Sequence, residues 1–226
     1  MERQHAKKMA PVHELESGLK RIMESAQRHG VLRESNVHRL LGAAHAELSR
    51  AIAEQENALE QQKDEYSDKK AKALELAEKI KSSHGPERHN LIERLGRLNT
   101  PHAVPYLRAI VENEKDLHKT SALKALTHVD HEDATKVIIK ALSSNESAVQ
   151  GAALDSLLIK LRPEAVRHVL KVTGSDSTGV NRRARQVLTD AYAHNPYLIT
   201  DALQDPDPDI RRKATRFLTT ILPRTE

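Results

Sequence analysis

Leu91-Ile92-Glu93-Arg94-Leu95 has counterparts in Ala122-Leu123-Lys124-Ala125-Leu126 and Ala153-Leu154-Asp155-Ser156-Leu157. The pattern returns as Ala184-Arg185-Gln186-Val187-Leu188 and as Ala214-Thr215-Arg216-Phe217-Leu218. Successive offsets are 31, 31, 31 and 30 residues. A fixed period of that size marks stacked two-helix units, none of which can bury its apolar face alone. The stretch from Pro86 to Leu222 therefore decides the fold.

Breakers divide each unit into a first helix, a short turn, a second helix and a longer connection. The first helices are expected at 87–98, 115–129, 146–161, 178–194 and 207–222, and the second helices at 101–113, 131–143, 163–173 and 196–204. Asn99-Thr100-Pro101, Asp130-His131, Arg162-Pro163 and Asn195-Pro196 supply the turns. Core positions recur in both sets, for example Leu91, Leu95, Leu123, Leu126, Ala153 and Leu157 in the first helices, and Leu107, Ile138 and Val169 in the second.

Two segments carry a family resemblance. Asp205-Pro206-Asp207-Pro208-Asp209-Ile210-Arg211-Arg212-Lys213-Ala214 resembles the start of a HEAT repeat, and Asn99-Thr100-Pro101-His102-Ala103-Val104-Pro105-Tyr106-Leu107 resembles the turn and second helix of one. The likeness covers residues 86–222 and is nearest to short bacterial, archaeal and phycobilisome-lyase-type repeats. It implies an all-α fold, a right-handed α-solenoid of about four and a half HEAT-like helix pairs. The Arg often found after the apolar residue of such units stands at Arg211, but Asn181, Gln150 and Lys119 occupy the matching places.

Residues 1–85 match no family by inspection and are expected to form a separate helical hairpin or coiled-coil region ahead of a repeat domain at 86–226. A first helix is expected from Val12 to Arg28, with Leu15, Leu19, Ile22, Met23 and Ala26 on one face. A second runs from Ser35 or Asn36 to the Ser82-Ser83-His84-Gly85-Pro86 break, about 70 Å at 1.5 Å per residue. It carries a heptad. One seam holds Ile52, Leu59, Tyr66, Ala73 and Ile80. The other holds Leu41, Leu48, Gln55, Gln62, Lys69 and Leu76, and turns polar in the middle. A uniform two-stranded coiled coil needs both seams apolar. A hairpin in which the first helix folds back on Val37–Ile52 competes with dimerisation along the long helix. The self-association candidates are Leu41, Leu48, Ile52, Leu59, Tyr66, Leu76 and Ile80, with Phe217 and Leu222 on a final helix that lacks a partner.

Composition narrows the function classes. Of 226 residues, aromatics are 2% and Cys is absent, which removes thiolate chemistry and Cys-ligated metals. Net charge is +4, split as +1 over residues 1–85 and +3 over 86–226, without the lopsided charge of a dedicated nucleic-acid binder. No apolar run approaches the roughly 20 residues that span a bilayer. No signal peptide is visible, so membrane insertion is not expected and the expected location is cytoplasmic.

The residues that could bind a partner are basic. Arg108, Lys136, Lys140, Arg167 and Lys171 recur on the second helices, which the resemblance places on the concave face. Such a stripe suits an acidic protein segment or a phosphate backbone, though Lys and Arg also solvate ordinary helix faces. Pro105 and Glu112 interrupt it. Arg182, Arg183 and Arg212 belong to tighter clusters on the first helices. His128-x-Asp130-His131-x-Asp133 has metal-ligand residue types, but its place at a helix-to-helix turn reads as capping. No nucleotide, hydrolase or zinc-protease motif occurs. The expectation is a non-enzymatic scaffold or adaptor that takes a protein partner and needs no metal or cofactor. A nucleic-acid-associated protein and a phycobilisome-lyase-like chaperone are the alternatives.

Overall fold

The structure is a computed structural model that describes residues 14–25, 28, 36–113, 115–160 and 163–221. Among these residues there are helices, turns and no strands. The chain divides into two compact units, Met1–Ser67 and Asp68–Glu226. The division falls at Ser67 rather than at Gly85.

In the first unit, residues 14–25 form helix α1 and Asn36 opens the long helix α2, Asn36–Ser82. Glu and Lys four apart, such as Glu75 and Lys79 at 2.5 Å, support an exposed helix of this length. Ser49 Oγ donates to Glu16 Oε1 across 3.0 Å, which brings α1 against α2. The contact stripe on α1 is narrower than its apolar positions suggest. Leu19 and Met23 are half-buried, whereas Leu15 and Ile22 are 67% and 58% exposed. On α2, Ile52 is buried and Leu48 and Leu59 are half-buried. The side chain of Leu41 and all of Leu222 lie outside the described residues.

The last turns of α2 belong to the second unit. Ala73, Leu76 and Ile80 are each at most 7% exposed and lie in the same core as Leu91, Ile92 and Leu95. Leu76 and Ile80 are therefore core residues of the repeat array, not self-association residues. The steps of three and four residues from Ala73 to Leu76 to Ile80 fit a helix that packs on neighbouring helices as well as they fit a coiled coil.

Gly85 then turns the chain with φ +54°, and Pro86 starts α3 (Gly85–Arg97) where its missing N–H costs nothing. The first helices continue as α5 (Lys119–Thr127), α7 (Ser147–Ile159) and α9 (Thr178–His194). They stack in one row: α3 on α5, α5 on α7, α7 on α9. The second helices are α4 (Val104–Glu112), entered through the 3-10 turn Pro101–Ala103, then α6 (Glu132–Ala141) and α8 (Pro163–Val172). Ile92, Leu95, Leu123, Leu126, Leu154, Leu157 and Leu188 are almost wholly buried between the layers. Each such side chain contributes about 1.5–3 kcal/mol relative to exposure.

One repeated position ties the units together through polar groups. Arg88 donates to the Ile80 carbonyl at 3.1 Å and pairs with Asp116. One period on, Lys119 is buried and pairs with Glu146. Next, Gln150 Nε2 donates to the Leu142 carbonyl at 3.2 Å. Arg211 donates to the carbonyls of Asp205 and Pro206. Arg88, Gln150 and Arg211 thus satisfy carbonyls at the end of the preceding helix or turn. Asn181 is the exception: its Oδ1 is buried without a hydrogen-bond partner.

The array changes at its C-terminal end. The fourth second-helix shrinks to one α turn, Tyr197–Thr200 (α10), and a 3-10 turn, Asp201–Gln204. Pro196 and the Asp205-Pro206-Asp207-Pro208 run bracket it and prevent extension. The final helix α11 (Pro208–Ile221) packs on α8 and that 3-10 turn instead of joining the row on α9. Phe217 and Leu218 are thereby 8% and 7% exposed and Ile221 is partly buried. Phe217 is thus a core residue, which corrects its place among the self-association candidates.

Candidate functional site

A groove of about 610 Å³ runs between α4 and α6. Helical spacing builds it. Pro101, Val104, Pro105, Arg108, Ala109 and Glu112 recur at three- and four-residue steps along one side. Asp133, Lys136, Val137 and Lys140 do the same on the other, with His131 at the turn before them. Val104 and Val137 are the buried members, while Ala109, Arg108, Lys136 and Lys140 stand exposed. The result is an apolar strip with charged edges.

The charges are paired, not a bare positive stripe. Glu112 accepts from Arg108 Nε at 3.1 Å and from Lys140 Nζ at 2.8 Å, joining the two helices. Those hydrogen bonds, with Lys140 first, hold the Glu112 carboxyl below the ordinary range. Lys136 reaches Glu132 at 2.8 Å and Asp133 at 3.3 Å, and its ammonium pKa is raised by those hydrogen bonds. Arg167 Nε lies 3.0 Å from Asp205. The interruption of the stripe at Glu112 is therefore a pairing: second helices bring their own carboxylates or share one with a neighbouring unit.

Arg108, Lys136 and Lys140 come together in the groove. Arg167 and Lys171 lie on α8, with Lys171 beside a separate hollow that also holds His168. Arg182, Arg183 and Arg212 belong to α9 and α11, in or beside the first-helix layer. Arg183 Nε meets Asp155 at 3.0 Å, Arg212 pairs with Asp209, and Arg182 is exposed. Pro105 and Glu112 interrupt the stripe as sequence, yet both line the groove. The signal for them was their shared helical face with Arg108 and Ala109.

At the turn before α6, His131 Nδ1 accepts from the Asp133 N–H at 3.2 Å, a capping contact. Asp130 takes a hydrogen bond from Lys160 at 2.6 Å. Among the described residues, no group of three or more His, Asp or Glu is arranged to hold a metal ion.

Residues 72–157 match the family of HEAT repeats. Over this segment the chain is similar to HEAT repeats. Its first residue lies inside α2, in agreement with the burial of Ala73, Leu76 and Ile80. The α4–α6 groove falls wholly within the HEAT segment. A crystal structure of an engineered protein is similar over 67% of this chain and 72% of that chain, at 20% identity and a TM-score of 0.36. Likeness at that level says nothing about function. No curated protein matches the chain. Among the described residues, no helix is long and apolar enough to cross a membrane.

Proposed function

We propose that this chain is a non-enzymatic scaffold that holds a partner protein in the α4–α6 groove. HEAT repeats commonly mediate protein–protein interaction. The observation that carries the reading here is the groove itself, an apolar strip of Val104, Pro105, Ala109 and Val137 edged by Arg108, Glu112, Lys136 and Lys140. Partner surfaces that combine an apolar centre with a polar rim fit such a strip. A phosphate backbone fits it poorly, because Glu112, Glu132 and Asp133 already engage the cations. The long α2 helix then acts as spacer. The exposed Leu15 and Ile22 on α1 favour self-association through the first unit as a second, separate property.

The test is affinity capture with the full chain and with Ala109→Trp/Lys140→Glu, read by quantitative mass spectrometry. A protein retained by the wild type and lost from the variant supports the reading. Equal retention by both, or retention only of nucleic acid that washes off steeply with salt, removes it. Light scattering of the chain against Leu15→Asp/Ile22→Asp checks self-association.

A further inference from the structure

Because α11 packs on α8 instead of α9, a second cleft of about 610 Å³ opens between α9 and α11. Four cations line it, Arg185, Arg212, Lys213 and Arg216, against one carboxylate, Asp209. Asp209 is already engaged by Arg212 and, at 3.2 Å, by Lys213. Lys213 also donates to the Lys171 carbonyl at 2.7 Å, so its ammonium is spent on capping α8. Arg185 and Arg216 make no ion pair and no side-chain hydrogen bond to another described residue, and both are exposed.

Asn181 lies one helical turn before Arg185 and lines the same cleft. It occupies the position where Arg88, Gln150 and Arg211 reach back to a carbonyl, and its Oδ1 is buried with no partner. Two exposed guanidinium forks with no carboxylate partner among the described residues call for an anionic ligand. Guanidinium forks bind carboxylates bidentately. Phe217 is buried beneath the cleft and offers no face for base stacking.

We propose that the α9–α11 cleft binds an acidic peptide segment of a partner protein, with its carboxylates on Arg185 and Arg216. This site lies outside the α4–α6 groove and stands or falls independently of it. Its occupant is defined by chemistry: Asp or Glu side chains that complement the cations of the cleft.

The experiment measures fluorescence anisotropy of a labelled Asp-Leu-Asp-Glu-Leu-Glu peptide with the full chain. Saturable binding is expected, weakened roughly tenfold or more in Arg185→Glu/Arg216→Glu. It should be little changed in Lys136→Glu/Lys140→Glu, which alters only the other groove. Arg185→Gln/Arg216→Gln serves as a milder pair, and circular dichroism melting of each variant checks that the fold persists. Absence of saturable binding by the wild type overturns the proposal. So does equal binding by the Arg185/Arg216 variants, or displacement of the peptide by single-stranded oligothymidylate at lower concentration than by unlabelled peptide.

Discussion

Gly96 in α3 lies directly against the backbone of Ala125 in α5. A Cβ built at residue 96 would stand 2.4 Å from the Ala125 carbonyl oxygen and 2.8 Å from its Cα. The first two units meet through this bare contact, so the stacking distance of the row is set by a missing side chain.

Gly96→Ala should therefore destabilise the repeat unit by about 1–3 kcal/mol, since the obstacle is backbone and cannot rotate away. Ala is the better helix former by about 1 kcal/mol, so the sign is diagnostic. Gly42→Ala, where nothing lies within 4 Å, should raise helicity instead. Urea midpoints and circular dichroism of the two variants check the contrast.

Asn99 sits at φ 46°, and its Oδ1 accepts from the Asp130 N–H at 2.7 Å, one period along the chain. Asn99→Ala loses the hydrogen bond and strains the left-handed backbone, for an expected cost of about 1–3 kcal/mol. Asn99→Gly keeps the backbone at ease and should cost less. Equal costs in a denaturant titration would remove the backbone argument.

The end of α2 is expected to be indispensable to the array. A chain of residues 68–226 should retain a cooperative melt, whereas 86–226 lacks Ala73, Leu76 and Ile80 and should melt markedly lower. In the full chain, Leu76→Ala or Ile80→Ala should cost about 2–5 kcal/mol. A melt of 86–226 indistinguishable from that of 68–226 would place the start of the core at Pro86.

His168 on α8 supplies a pH dependence. Burial, then the charges of Lys171 and Arg167, lowers its pKa below 6.5. The folded state then binds its proton less readily than the unfolded state. Its effect on stability is absent above pH 6.5, and stability falls as pH drops from 6.5 toward the folded value. His168→Gln should flatten that part of the melting-temperature profile. An unchanged acid limb in the variant assigns the dependence to other groups.

The helix pairs were legible because their signals are local. Leu95, Leu126 and Leu157 repeat at fixed spacing, and Pro101, Pro163 and Pro196 mark the turns before the second helices. The first-helix and second-helix layers, and the presence of Arg108, Lys136 and Lys140 on one face, follow from period alone. The pairing of those cations was not legible. Glu112 meets Lys140 across 28 positions of chain, and Arg167 meets Asp205 across a connection whose path depends on how short α10 is. The heptad in α2 was legible but ambiguous, because Leu76 and Ile80 satisfy a coiled-coil seam and a solenoid core equally.

Periodicity in the primary structure was sufficient to specify an all-α array, its unit length and its breakers, since a helix with one apolar face must stack on another such helix. The start of the core inside α2, the departure of α11 from the row on α9, and the cleft that this opens around Asn181, Arg185 and Arg216 were settled only in three dimensions. They depend on which of several apolar faces come closest, and that competition is decided by packing between residues far apart in the chain.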